Sequence, residues 1–202
     1  MAQGLHPGPL PNTSQQDSKP ATCSASADKT LPAKYVSPAQ LCTALNRSDL
    51  PVLLGTPEEH AETARGSAGW MTLAGGTKIA SPEAEVDLRT YSVRLSASYD
   101  DVPVAEAARY VDSSSQVKMV LGHPAVLYSN RTIEISFNLG GGKASTGPGG
   151  IARSLLVSTS AKDGGDSFEM TIWRQDDVPP DDEALFRIAE EVLPTVPGWT
   201  AG

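Results

Sequence analysis

The sequence predicts an α+β domain: a mostly antiparallel sheet with about three helices. Three observations carry that expectation. Apolar and polar residues alternate through several segments, most clearly Ile133, Ile135, Phe137 and Leu139 against Thr132, Glu134, Ser136 and Asn138, the pattern of a half-buried antiparallel strand. These segments are separated by short turn signals, which suit hairpins and not the long crossovers that parallel strands need. Three further segments place apolar residues at helical spacing, so helices can cover one face of the strands.

The elements follow in order. Met1 to Thr22 is built of Pro, Gly, Ser, Gln and Asn, with Asp17 and Lys19 as its formal charges. Such a segment buries too little apolar surface to offset its ordering entropy, so residues 1–22 are expected to form a disordered arm, and residues 23–202 a single domain. Cys23 and Cys42 suggest a disulfide that staples the start of the domain to the first helix. Two unrelated buried thiols are the alternative. That helix should begin at Ser37 with a capping box to Gln40, Pro38 in its first turn, and Val36 and Leu41 as a hydrophobic staple.

Residues 56–68 are polar, contain Gly66, and read as a loop; Trp70 to Leu73 reads as a short strand ending at Gly75 and Gly76. Residues 85–98 are strand-like but change phase near Arg89 and Thr90, which predicts a bulge or break. Val104, Ala107, Ala108 and Val111 define a second helix behind Pro103, with Asp100 and Asp101 placed to cap it. A meander follows, with turns expected at Gly122-His123-Pro124 and Ser129-Asn130-Arg131, a loop over Gly140–Gly150, and a turn at Asp163-Gly164-Gly165. The last helix should start behind Pro179 and Pro180 with Asp181, Asp182 and Glu183 at its positive end, and bury Leu185, Ile188, Ala189 and Val192.

Composition narrows function. The net charge of -8 disfavours nucleic acid and anionic membrane surfaces, and no apolar run spans a bilayer. The run Gly140-Gly141-Gly142-Lys143-Ala144-Ser145 resembles a phosphate loop only superficially, since Phe137 stands where the first glycine belongs and Ala144 where a hydroxyl is needed. His6, His60 and His123 lack metal-ligand spacing, so no cofactor and no metal site are expected. No nucleophile elbow occurs; an enzyme would have to use His60 or His123 as its base. Trp173 alternates away from Phe168, Met170 and Ile172. On an open sheet face it could anchor a partner; under a helix it would be core.

The stretches YVSPAQLCTALN (35–46), SYDDVPVAE (98–106), LGHPAVLY (121–128), FNLGGG (137–142) and WRQD (173–176) resemble an uncharacterised family of membrane-tethered extracytoplasmic proteins of Streptomyces and related actinomycetes. More loosely, the cysteine-bearing first helix and the later meander look like PsbP-like and LpqN-like envelope domains. The resemblance implies an extracytoplasmic location and a domain that binds proteins or lipids, and it carries no catalytic residues. The expected function is therefore a non-catalytic protein-binding module such as a sensor, inhibitor or immunity-type protein. Its candidate site is Glu134, Ser136, Asn138, Thr171 and Trp173 on the outer sheet face, with the loop around Lys143. The alternative is a carrier of a small apolar ligand or lipid between the sheet and the last helix, lined by Leu185, Ile188 and Val192; an enzyme of unknown class stands third.

Overall fold

The computed structural model describes residues 20–25, 31–111, 114–137, 144–176 and 178–201. Among these, the chain forms β1 (Ser24–Ala25), α1 (Pro38–Leu45), α2 (Leu50–Leu53), β2 (Thr63–Thr72), β3 (Lys78–Asp87), β4 (Tyr91–Tyr99), α3 (Val104–Ala107), β5 (Gln116–Val120), β6 (His123–Phe137), β7 (Ala144–Ser158), β8 (Asp166–Arg174) and α4 (Asp182–Val192), followed by a 3₁₀ turn at Leu193–Thr195. The sheet order is β1-β2-β3-β4-β8-β7-β6-β5. Every pairing is antiparallel except the two-residue β1–β2 contact.

Strand parity sorts the sheet into two faces. Val86, Val93, Leu95, Leu127, Leu155, Val157, Phe168, Met170 and Ile172 point inward and are buried. Against them lie α1 and α4, which contribute Leu41, Leu45, Leu185, Ile188, Ala189 and Val192 to the same continuous core. The start of α1 is as expected: Ser37 accepts from the Gln40 amide, Gln40 reaches back to the Ser37 amide, and Pro38 opens the helix. Asp181 caps α4 through the Glu183 amide. Cys23 and Cys42 form the disulfide, with Cα atoms 5.9 Å apart. Ala21, placed in the arm by composition, is held by Ala61 and by the Asn46 side chain.

Several local expectations are corrected. Part of the 56–68 loop is strand, because β2 starts at Thr63 and pairs over ten residues with β3, of which only the end, from Glu85, was expected as strand. Gly66 does not break this strand. It lets α1 pass close overhead, since a Cβ there would lie 2.6 Å from the Pro38 carbonyl oxygen. Of the bulge or break expected near Arg89, the structure has the break, a hairpin: Leu88 N donates to Tyr91 O, and Val86 faces Val93 across β3 and β4 on one face. The second helix is a single turn. The turn after β5 is made by Leu121 and Gly122, both at positive φ, so His123 and Pro124 belong to β6. The expected turn at Ser129–Arg131 is continuous strand, with a register shift between Arg131 and Ile133. Residues 144–150 of the expected glycine-rich loop belong to β7.

Candidate functional site

The face opposite α1 and α4 is polar. Ser92, Arg94, Ser96 and Ser98 of β4 stand beside Trp173, Thr171, Glu169 and Ser167 of β8 in register. Beyond β4 come Glu83, Glu85 and Asp87 of β3; beyond β8 come Ala152 and Ser154 of β7, then Asn130 and Tyr128 of β6. A cleft of about 840 Å³ spans this face, from Glu83 and Glu85 on β3 to Asn130 and Ile133 on β6, with Thr171 and Trp173 between. A second cavity of about 280 Å³ continues it toward Asp100, Val102 and Ala107, sharing Ser81, Ser96 and Glu169 with the first.

At that second end the face is closed by α3. Val104, Ala108 and Val111 pack on Val126, Tyr128 and Leu156, forming a small satellite core. The expected capping by Asp100 and Asp101 is not what holds this turn. Asp163, from the β7–β8 turn, accepts from Val104 N at 2.7 Å and Ala105 N at 3.0 Å, while Asp100 accepts from Val102 N and the Ser98 hydroxyl. At the other end β6 and β7 continue as a two-stranded ribbon past the last β7–β8 pair, Ala152 with Trp173. The ribbon bends at a bulge where Gly149 and Gly150 oppose Thr132; a Cβ on Gly149 would meet the Thr132 carbonyl oxygen at 3.0 Å.

Two hydrogen-bonded networks organise the floor. In the first, the buried Glu85 carboxylate receives Arg65 and, at 2.7 Å, Arg94. Burial opposes the Arg94 charge, but Glu85, aided by Glu83 and Glu169, more than restores it and raises the pKa. The Arg94 guanidinium lies 5.3 Å from the Trp173 ring centroid, a cation–π distance. In the second, Glu169 accepts from the Tyr128 hydroxyl at 2.8 Å and the Thr171 hydroxyl at 3.2 Å. The Ser154 and Thr171 hydroxyls are 2.7 Å apart, and Asn130 donates to Ser154. Burial, then the Glu169 charge, pushes the Tyr128 pKa far up, so this phenol stays protonated and donates.

Of the residues singled out in the sequence, Thr171 and Trp173 line the cleft. Glu134 and Ser136 lie on the ribbon, opposite Gly147 and Ser145, and not across from Trp173. Asn138 and Lys143 lie outside the described residues, as does the Gly140–Gly142 run. Arg94, Glu85, Tyr128 and Ser154 were missed, and so was Glu169, although it shares the alternation of Trp173. His123 is fully buried. Its Nδ1 lies 2.8 Å from Ser158 O, its Nε2 has no partner among the described residues, and its ring stacks on Trp199 at 3.8 Å. Leu185, Ile188 and Val192 are fully buried in the main core. Among the described residues no cluster of His, Cys, Asp and Glu could hold a metal ion, and no helix is long and apolar enough to cross a membrane.

Fold and site together define a mainly antiparallel sheet domain with its long helices on one face and a polar groove on the other. The chain belongs to a family of unknown function, DUF6215, whose model matches residues 2–114. That match ends before β5, so Thr171 and Trp173 lie beyond it. No curated protein and no solved structure matches the chain.

Proposed function

We propose that the chain is a non-catalytic protein-binding module whose partner docks in the groove of the outer sheet face. The observation that carries this is Trp173, half-buried in the cleft with Arg94 over its ring; tryptophan and arginine in partly desolvated pockets are the residues that dominate protein interfaces. The polar groups around them support binding over catalysis. Ser154 and Thr171 bond each other, Ser92 donates to Asp87, and among the described residues no histidine lines the cleft. The Cys23–Cys42 bond supports an oxidising, extracytoplasmic setting. The likeness to membrane-tethered actinomycete proteins and to PsbP-like and LpqN-like layers fits the same reading, as a sensor, inhibitor or immunity-type domain. The carrier alternative has less support, because α4 is packed onto the sheet as core.

The test is affinity capture from cell-envelope extracts with the tagged, cross-linked domain. One stoichiometric protein should be recovered, and Trp173→Ala should lose it. Undiminished capture by that variant would remove the groove from the interface. No enriched protein, with a lipid recovered by organic extraction, would favour the carrier.

A further inference from the structure

We propose that residues 101–111, with α3 at their centre, are a lid over one end of the outer groove, and that the lid opens while the sheet stays folded. The inference goes beyond the binding-module reading and holds whatever the groove receives. With four residues, α3 is too short to hold its own shape, so it stays down only by what it rests on. It rests on a core of its own. Val104, fully buried, packs with Val126 and Tyr128, and Ala108, Val111 and Leu156 complete the cluster. The main core, against α1 and α4 on the other face, takes no described residue from α3. Lifting Val104 therefore leaves that core packed, and an element with so few apolar contacts of its own opens locally.

The packing under the lid is incomplete. The cavity of about 280 Å³ has Val102 and Ala107 of the lid segment on one side and Ser96, Ser167, Glu169 and Tyr128 of the sheet on the other. A void forfeits contacts that would hold the lid shut, and the polar groups facing it are well solvated once uncovered. The latch is the β7–β8 turn. Its Asp163 accepts from Val104 N and Ala105 N, and its Gly165 lies against the backbone of Asp101, where a Cβ would come within 2.5 Å. Asp101 itself has a φ of 59°, in the left-handed region, where the chain leaves β4 for the lid. One turn thus fixes the hinge and holds the helix. Closed, the groove ends at the cavity; open, its floor runs on to Val126 and Leu156.

The experiment is native-state hydrogen exchange on the full chain, ¹⁵N-labelled. The reporters are the amides of Ala107, Ala108 and Val111, bonded within the lid to Pro103 O, Val104 O and Ala107 O, against those of Leu155 and Met170 in the central strands. The lid amides should exchange at least about a hundredfold faster than the two core amides, and urea should hardly accelerate them. Ile188→Val weakens the main core, which the open lid leaves packed. It should speed Leu155 and Met170 about fivefold and leave the lid amides unchanged. Asp163→Gly releases the latch and should speed the lid amides about tenfold. Tetranitromethane reads the groove: nitration of Tyr128 should rise with Asp163→Gly by the same factor and be indifferent to Ile188→Val. Lid amides that exchange at the core rate, or that follow Ile188→Val, overturn the lid. Lid amides unmoved by Asp163→Gly overturn the latch. Exchange as expected, with Tyr128 nitration unmoved by Asp163→Gly, overturns the gating of the groove.

Discussion

Asp163 holds α3 in place from a turn 59 residues away in sequence, and its replacement tests how the end of the groove is built. With four residues, α3 is too short to sustain itself, so its cap decides whether it forms. Asp163→Ala removes both bonds to Val104 N and Ala105 N, a capping loss of about 1–2 kcal/mol. It also puts alanine at a φ of 52°, which aspartate tolerates better, adding about 1 kcal/mol. The expected total is about 2–3 kcal/mol. Asp163→Gly loses the same bonds without the backbone penalty and should cost about 1–2 kcal/mol, and Asp163→Asn, which keeps one acceptor, about 1 kcal/mol. The order Asn, Gly, Ala separates capping plus backbone strain from a simple loss of charge, which would make all three alike. Urea unfolding at neutral pH gives the energies, and amide exchange at Val104 and Ala105 reports the cap directly. An alanine variant within about 0.5 kcal/mol of the parent, or unchanged exchange at both amides, refutes the reasoning.

Other expectations are checked by similar means. Gly66→Ala should destabilise by about 1–3 kcal/mol, because α1 must lift from β2; parental stability in urea would show that the approach to Pro38 relaxes freely. Replacing Cys23 and Cys42 together by alanine should cost about 3 kcal/mol, given the separation of 19 residues, read as a lower urea midpoint that dithiothreitol does not lower further. Burial raises the Glu59 pKa, but the Thr90 hydroxyl and amide and Arg89 outweigh it and hold the carboxyl below its ordinary 4.5. A depressed folded pKa contributes stability that is present above the unfolded value and lost as pH falls through the folded one. Glu59→Gln should therefore flatten the fall in stability below about pH 4.5, and an unchanged slope would contradict this. His123→Ala should cost about 3 kcal/mol and loosen the residues around Trp199, seen as increased acrylamide quenching.

How much was legible depended on how local the cause was. The capping box at Ser37 and Gln40, the Asp181 cap and the alternation of Phe168, Met170 and Ile172 against Glu169, Thr171 and Trp173 are all set by near neighbours, and they are present as read. The first part of β2 was hidden because the reason for Gly66 lies in α1, not in the strand; its end, from Trp70, was read as strand. The hairpin between β3 and β4 was visible as a break, but a bulge and a tight turn leave the same phase shift, and only pairing tells them apart. Asn130 looked like a turn residue; it sits in β6 with its amide bonded to Ser154. The site was half-legible for the same reason. Trp173 and Thr171 follow from alternation. Arg94, Glu85 and Tyr128 join them only because β8 inserts between β4 and β7, a pairing of distant segments that no local pattern encodes.

The disulfide has a mechanical consequence. It closes the stretch between Cys23 and Cys42 into a covalent loop, and β1 lies inside that loop. A pull on the chain N-terminal to Cys23 that breaks the Ala21 bonds to Ala61 and Asn46 therefore passes through the two sulfur atoms into α1, whose Cys42 is fully buried. The force bypasses Ser24, Ala25 and their two-residue pairing with β2, the weakest seam of the sheet. Load is delivered to a helix seated on β2, β3 and β4, so tension applied there is spread over three strands and does not peel them one at a time.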